Sequence, residues 1–142
     1  MVFTELTNKA MKIAYEAHHG TLDAEKIPYI FHPARVGSGF DTEAEVCVGL
    51  LHDVVEDTDI TIEDLRKDGF PEDMLEALTL LTHEDGTDYM DYVKAAAKNP
   101  IAKAVKIADL RDNIAREPKG EGHSEKRLSK HLEALEYLLS CQ

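Results

Sequence analysis

The chain has 142 residues, 43% of them hydrophobic and 31% charged, with a formal net charge of −12, a balance that fits one globular domain, 1–142, with room for a real core. That acidity argues against nucleic acid or an anionic membrane as partner, because a phosphate backbone demands a basic footprint; a small phosphorylated ligand stays open, since a bound divalent ion dominates the field of its own site. No apolar run has the length of a membrane span, Met1-Val2-Phe3-Thr4-Glu5 has no signal-peptide character, and Cys47 and Cys141 form no CxxC pair, so the expected setting is cytoplasmic with reduced thiols.

A first helix is expected from about Thr4 to His19, with Leu6, Ala10, Ile13, Ala14 and Ala17 as its apolar stripe and Gly20 ending it. His18 and His19 sit where they favour the helix dipole and receive no functional role. Gly20 to Ile27 reads as a polar loop. Pro28-Tyr29-Ile30-Phe31-His32-Pro33 then restricts the backbone around His32, with Pro33 expected as the first residue of a short helix over Ala34 to Phe40. Gly37-Ser38-Gly39 is no phosphate loop, lacking Gly-Lys-Ser/Thr and a preceding strand. Thr42 and Glu45 form a capping box that starts a central helix ending near Asp57.

That central helix contains Leu50-Leu51-His52-Asp53-Val54-Val55-Glu56-Asp57. At about 100° per residue, His52, Asp53, Glu56 and Asp57 share one arc with Gly49 in its middle. Cys47, Leu50, Leu51, Val54 and Val55 cover the opposite, buried arc. Like charges at this spacing repel, and a cation between them reverses the sign of the interaction. The plain alternative is a solvated acidic face.

Asp57 to Thr61 resembles the start of a calcium loop, but Ile62 stands where its glycine is required. Thr61 caps a short helix stopped at Gly69, and Pro71 opens another that turns Met74, Leu75, Leu78 and Leu81 inward. Thr82 to Gly86 is a connector; His83-Glu84 has Thr87 where a zincin needs histidine. Tyr89 to Lys98 is helical, closed by Asn99. The next helix runs from Pro100 to about Arg116, with Ile107, Leu110 and Ile114 buried and Asp109 and Asn113 four apart on a neighbouring face. Glu117 to His123 reads as a loop, and Ser124 caps a last helix with the stripe Leu128, Leu132, Leu135 and Leu139. No strand is expected: the fold is an all-α, compact multi-helix bundle.

Three fragments carry chemistry: His32 on its proline-framed turn, His52-Asp53 with Glu56-Asp57, and Lys106 to Asn113. Two imidazoles and two carboxylates suit Mn²⁺, Fe²⁺ or Zn²⁺ better than Ca²⁺. With Pro28 to Pro33, Leu50 to Thr58, Leu80-Leu81-Thr82-His83, Tyr89 to Val93 and Val105 to Asp109 followed by Asn113, the chain resembles the HD superfamily of metal-dependent phosphohydrolases, and within it the hydrolase domain of RelA/SpoT proteins and their small stand-alone homologues. The resemblance implies one metal, most often Mn²⁺, on His32, His52, Asp53 and Asp109. It implies that Glu56 and Asp57 orient or deprotonate the attacking water and assist the leaving group, that Asn113 contacts the nucleotide, and that Tyr29 and Lys106 line the pocket. The implied reaction removes the 3′-diphosphate of guanosine 3′,5′-bis(diphosphate), releasing pyrophosphate. Without synthetase or regulatory domains, such a chain is expected only to degrade. Family members active on this alarmone carry basic residues before the Tyr-Ile-x-His-Pro segment, whereas here Lys26 stands alone beside Asp23 and Glu25, which leaves a nucleotide with fewer phosphates open. Phosphomonoesterase or phosphodiesterase action on another nucleotide, a non-catalytic nucleotide- or metal-binding module, and a helical interaction domain are the remaining alternatives.

Overall fold

Among the described residues, six helices begin where a side chain satisfies amide groups that a helical start leaves without partners. In a computed structural model, which describes residues 1–117 and 124–141, α1 (Glu5–His18) starts with a capping box between Thr4 and Thr7. Thr42 accepts from the Glu45 amide at α3 (Glu43–Leu51), and its hydroxyl binds the Glu45 carboxylate, so that box is half made. Thr61 and Asp64 cap α5 (Ile62–Lys67) reciprocally, and Asn99 accepts two amide hydrogens ahead of Pro100 in α8 (Pro100–Ala115). The other helices are α2 (Phe31–Ser38), α4 (Val54–Asp57), α6 (Glu72–Leu81), α7 (Tyr89–Ala96) and α9 (Glu125–Ser140). Among the described residues there is no strand, only an isolated bridge between Leu22 and Pro28. The expected all-α bundle is the observed fold. The loop expected over Glu117 to His123 lies, apart from Glu117, outside the described residues, as does any part it plays over a substrate.

Helix α3 is the centre, packed against α1, α2, α6 and α8. Val46, Cys47, Val48, Leu50 and Leu51 are fully buried, and each such leucine contributes about 1.5–3 kcal/mol relative to exposure. Close approach of α2 and α3 depends on two glycines. A Cβ on Gly49 would meet the Gly37 Cα at 2.9 Å, and one on Gly37 would meet Leu50 at 2.9 Å. Gly49 is therefore an interior contact rather than part of a polar arc. A second cluster, Tyr92, Val93, Leu110, Ala134 and Leu138, joins α7, α8 and α9.

Four expectations are corrected. The central helix is broken: α3 ends at Leu51 and α4 begins at Val54, with the His-Asp doublet between them. In an unbroken helix the Gly49 carbonyl would accept from the Asp53 amide; here it accepts from His52 Nδ1 at 2.7 Å. Helix α2 begins at Phe31, so His32 and Pro33 lie in its first turn, where amides need no intrahelical partner and proline costs nothing. The most buried face of α8 carries Ala102, Val105, Lys106 and Asp109, while Ile107 and Ile114 are half-buried. Because α8 is covered on two sides, its polar residues face the interior. Finally, α9 is turned from the expected stripe: Ala134 and Leu138 are buried, whereas Leu132 and Leu139 are 47% and 51% exposed. That rotation brings Arg127 and His131 to the wall of a cavity.

Candidate metal centre

Three helical segments converge where α2, the α3–α4 break and α8 meet. His32 Nε2 lies 2.9 Å from Asp109 Oδ1, and His52 Nε2 lies 3.2 Å from the same oxygen. One donor atom from each of these three buried residues lies within 4.8 Å of the other two. Asp53 Oδ2 adjoins them, 3.1 Å from His52 Nε2 and 3.7 Å from His32 Nε2. The two imidazoles are aimed by their far sides. His52 Nδ1 donates to the Gly49 carbonyl, and His32 Nδ1 donates to Asp112 at 2.6 Å. Both Nε2 atoms therefore point at the carboxylates, an orientation that suits cation ligation.

The remaining partners fix the carboxylates. Tyr29 donates its hydroxyl to Asp53 Oδ2 at 2.5 Å, Lys106 Nζ lies 2.8 Å from Asp109 Oδ2, and Asn113 donates to Asp109 Oδ1 at 3.2 Å. Tyr29 and Lys106, expected to line the pocket, also brace two carboxylates; Asn113 braces Asp109 and faces the larger cavity.

Electrostatics follow from this packing. Burial alone pushes Asp109 up, yet Lys106 and the hydrogen bonds from His32 and His52 hold it well below the usual carboxylate range. Burial likewise opposes charge on His52, but Asp53 and Asp109 outweigh it and raise its pKa; His32 is raised against burial mainly by its bond to Asp109. A cation ligated by these imidazoles would compete with protons for the Nε2 lone pairs, so its affinity would rise with pH. Burial and then Asp53 raise the Tyr29 phenol, which stays protonated as the donor to that carboxylate.

Glu56 and Asp57 lie in α4. The Glu56 carboxylate accepts the His83 amide at 2.6 Å and lines a cavity of about 170 Å³ with His52, Asp53, Lys106 and Lys130. Partial desolvation, then Asp53 and Glu56, push Asp57 up to about 6. On the His32 side lies a larger cavity of about 400 Å³ whose wall includes Asp23, Glu25, Asn113, Arg116 and His131. Lys26 is not part of that wall.

Several contributors have no counterpart among the expected site residues. Asp112, clamped by two hydrogen bonds from Arg35 at 2.8 and 2.9 Å, holds His32; its position three residues after Asp109 was the available signal. Arg116, Arg127, His131 and Lys130 reach the cavities only through the placement of α8 and α9. His18 closes α1 as expected and is 3% exposed there, its ring 5.0 Å from that of Tyr29.

Against known proteins, no family model matches the chain. It is 34% identical over 126 residues to a GTP pyrophosphokinase of Streptomyces coelicolor, covering 75% of this chain and 14% of that protein. It is 31% identical over 123 residues to a guanosine-3′,5′-bis(diphosphate) 3′-pyrophosphohydrolase of Aquifex aeolicus, covering 78% and 17% respectively. The chain thus spans only a small part of these relatives. Among solved structures, a metazoan ortholog of SpoT described as hydrolysing ppGpp superposes with a TM-score of 0.82 at 22% identity, over 100% of this chain and 90% of that one. Fold and sequence relationship together define a helical domain of the HD superfamily. Within that superfamily the chain belongs to the RelA/SpoT type. No helix among the described residues is long and apolar enough to cross a membrane.

Proposed function

We propose that residues 1–142 act as one metal-dependent phosphohydrolase domain that removes the 3′-diphosphate from guanosine 3′,5′-bis(diphosphate) and releases pyrophosphate. The observation that carries this reading is the meeting of the His32 and His52 Nε2 atoms at Asp109, with Glu56 on the wall of an adjoining cavity. The pyrophosphohydrolase relative supports the substrate, and the two unpaired thiols suit a cytoplasmic setting.

The donor chemistry fits one divalent transition metal, with His32, His52, Asp53 and Asp109 as ligands and Mn²⁺ as the ion. Such an ion supplies Lewis acidity toward a phosphoryl oxygen and acidifies water. Glu56 orients the attacking water and takes its proton, while Asp57 assists departure of the 3′ oxygen. Water oxygen bonds to the phosphorus nearer the ribose, the bond from that phosphorus to the 3′ oxygen breaks, and a proton ends on the 3′ hydroxyl. Asn113 contacts the nucleotide, and Tyr29 and Lys106 contribute to the substrate pocket while holding Asp53 and Asp109.

The test is turnover of the tetraphosphate with Mn²⁺, with Glu56→Ala as the blank. Pyrophosphate release that collapses in the variant while metal stays bound is expected. Orthophosphate release from ordinary nucleotides, or metal and nucleotide binding without product, overturns the assignment. Asp23 and Glu25 on the larger cavity's wall favour a second reading, a related nucleotide with fewer phosphates, and a panel graded by phosphate number separates the two.

A further inference from the structure

We propose that the small cavity beside Glu56 seats the substrate's 3′-diphosphate, and that Lys130 on α9 is the specificity residue that recognises its terminal phosphate. The inference rests on the reaction proposed above and assigns parts of the substrate to the two cavities that flank the cluster. In an in-line displacement the attacking water and the leaving 3′ oxygen stand on opposite sides of the phosphorus. Glu56 lines only the smaller cavity, of about 170 Å³, which reaches His52 and Asp53. The larger one, of about 400 Å³, reaches His32 and is lined by Asn113. Water therefore lies on the Glu56 side and the nucleoside beyond His32, while the second phosphoryl group, whose bridging oxygen is equatorial to that line, extends into the smaller cavity, the one that Lys130 lines.

Chemistry of the smaller cavity matches a terminal phosphate. Its lysines among the described residues are Lys106 and Lys130, and they are not equivalent. Lys106 is committed to Asp109. Lys130 is exposed, its Nζ 4.6 Å from the centre of the Tyr89 ring, and no carboxylate among the described residues pairs with it. The tyrosines differ in the same way. Tyr92 donates its hydroxyl to the Leu81 carbonyl at 2.8 Å, whereas the buried Tyr89 hydroxyl has no partner. The two lysines near its ring are donors only. A phosphate oxygen is an acceptor that serves both Lys130 and Tyr89. A monophosphate held at the cluster would lack the second phosphoryl group that extends toward Lys130, so this lysine discriminates diphosphate from monophosphate.

Titration calorimetry with inorganic pyrophosphate and orthophosphate, at fixed free Mn²⁺, tests the assignment on the wild type, Lys130→Ala, Lys130→Arg and Tyr89→Phe. Wild type is expected to bind pyrophosphate more tightly than orthophosphate. Lys130→Ala should lose about tenfold in pyrophosphate affinity, the scale of one charge-assisted hydrogen bond, with orthophosphate affinity unchanged; Lys130→Arg should retain most of it and Tyr89→Phe should lose a smaller part. Unaltered thermal melting of the exposed-site variant Lys130→Ala excludes a folding defect. Equal pyrophosphate binding by Lys130→Ala and wild type, or no preference for pyrophosphate in the wild type, overturns the proposal. The binding readout is independent of turnover: loss of preference in Lys130→Ala upholds the role of Lys130 even if no tetraphosphate is hydrolysed, which would sink only the reaction.

Discussion

His32 and Asp112, eighty residues apart, share a hydrogen bond of 2.6 Å between Nδ1 and Oδ2. It fixes which imidazole nitrogen carries the hydrogen and turns Nε2 toward Asp109. Asp112 is in turn held by Arg35, which keeps its carboxyl below the usual range although burial works the other way. Replacing Asp112 with Ala should therefore weaken divalent-metal affinity about 10–100-fold, as removal of such outer partners commonly does, while leaving the helical content intact. Metal titration of Asp112→Ala against wild type measures this; equal affinities would show that His32 needs no second anchor.

Much of the fold was legible because its determinants are local. Thr4, Thr61, Asn99-Pro100 and Ser124 mark helix starts through bonds spanning two or three residues. What escaped a sequence reading is tertiary. The break after Leu51 depends on His52 taking the Gly49 carbonyl, and the rotation of α9 depends on packing against α7 and α8. Candidate site residues were legible where chemistry is dense, as in His52-Asp53-Val54-Val55-Glu56-Asp57. Asp112 and Lys130 were not, since an acid on one helix and a lysine on another acquire meaning only through what they face.

Gly49 links packing to the site. Its Cα faces Gly37, and its carbonyl anchors His52. Gly49→Ala forces α2 and α3 apart, an overpacking cost of about 1–3 kcal/mol, and shifts both histidine-bearing segments together. Chemical denaturation should record the lost stability, and metal affinity should fall with it. An alanine variant as stable as wild type would mean that the helices separate freely and that the close approach is incidental.

Asp57 gives a pH signature to the metal-free protein. With its folded pKa pushed up to about 6, the native state holds this proton more tightly than the unfolded chain does. Its stabilising contribution is complete below the ordinary carboxylate pKa of about 4 and is lost as pH rises through about 6. Asp57→Asn, which stays neutral throughout, should remove that slope and melt above wild type at pH 7.5. Thermal melts of both proteins from pH 4 to 7.5 decide it; parallel curves would deny the shift.

Lys106 couples stability to the cation. Its side chain is largely buried, with Nζ 2.8 Å from Asp109 Oδ2 and 5.2 Å from the Tyr92 ring centre. Burial disfavours its charge, but Asp109 outweighs burial and raises its pKa. Lys106→Met keeps most of the buried volume while leaving Asp109 without its ammonium partner, and breaking a buried pair from one side costs about 3–5 kcal/mol. The metal-free variant should unfold correspondingly earlier in denaturant. A divalent cation at the same carboxylate replaces part of the missing charge, so saturating Mn²⁺ should raise the variant's stability by more than it raises that of the wild type. Denaturation with and without Mn²⁺ for both proteins forms the required cycle, and an equal increment in the two would show that Lys106 and the cation do not share Asp109.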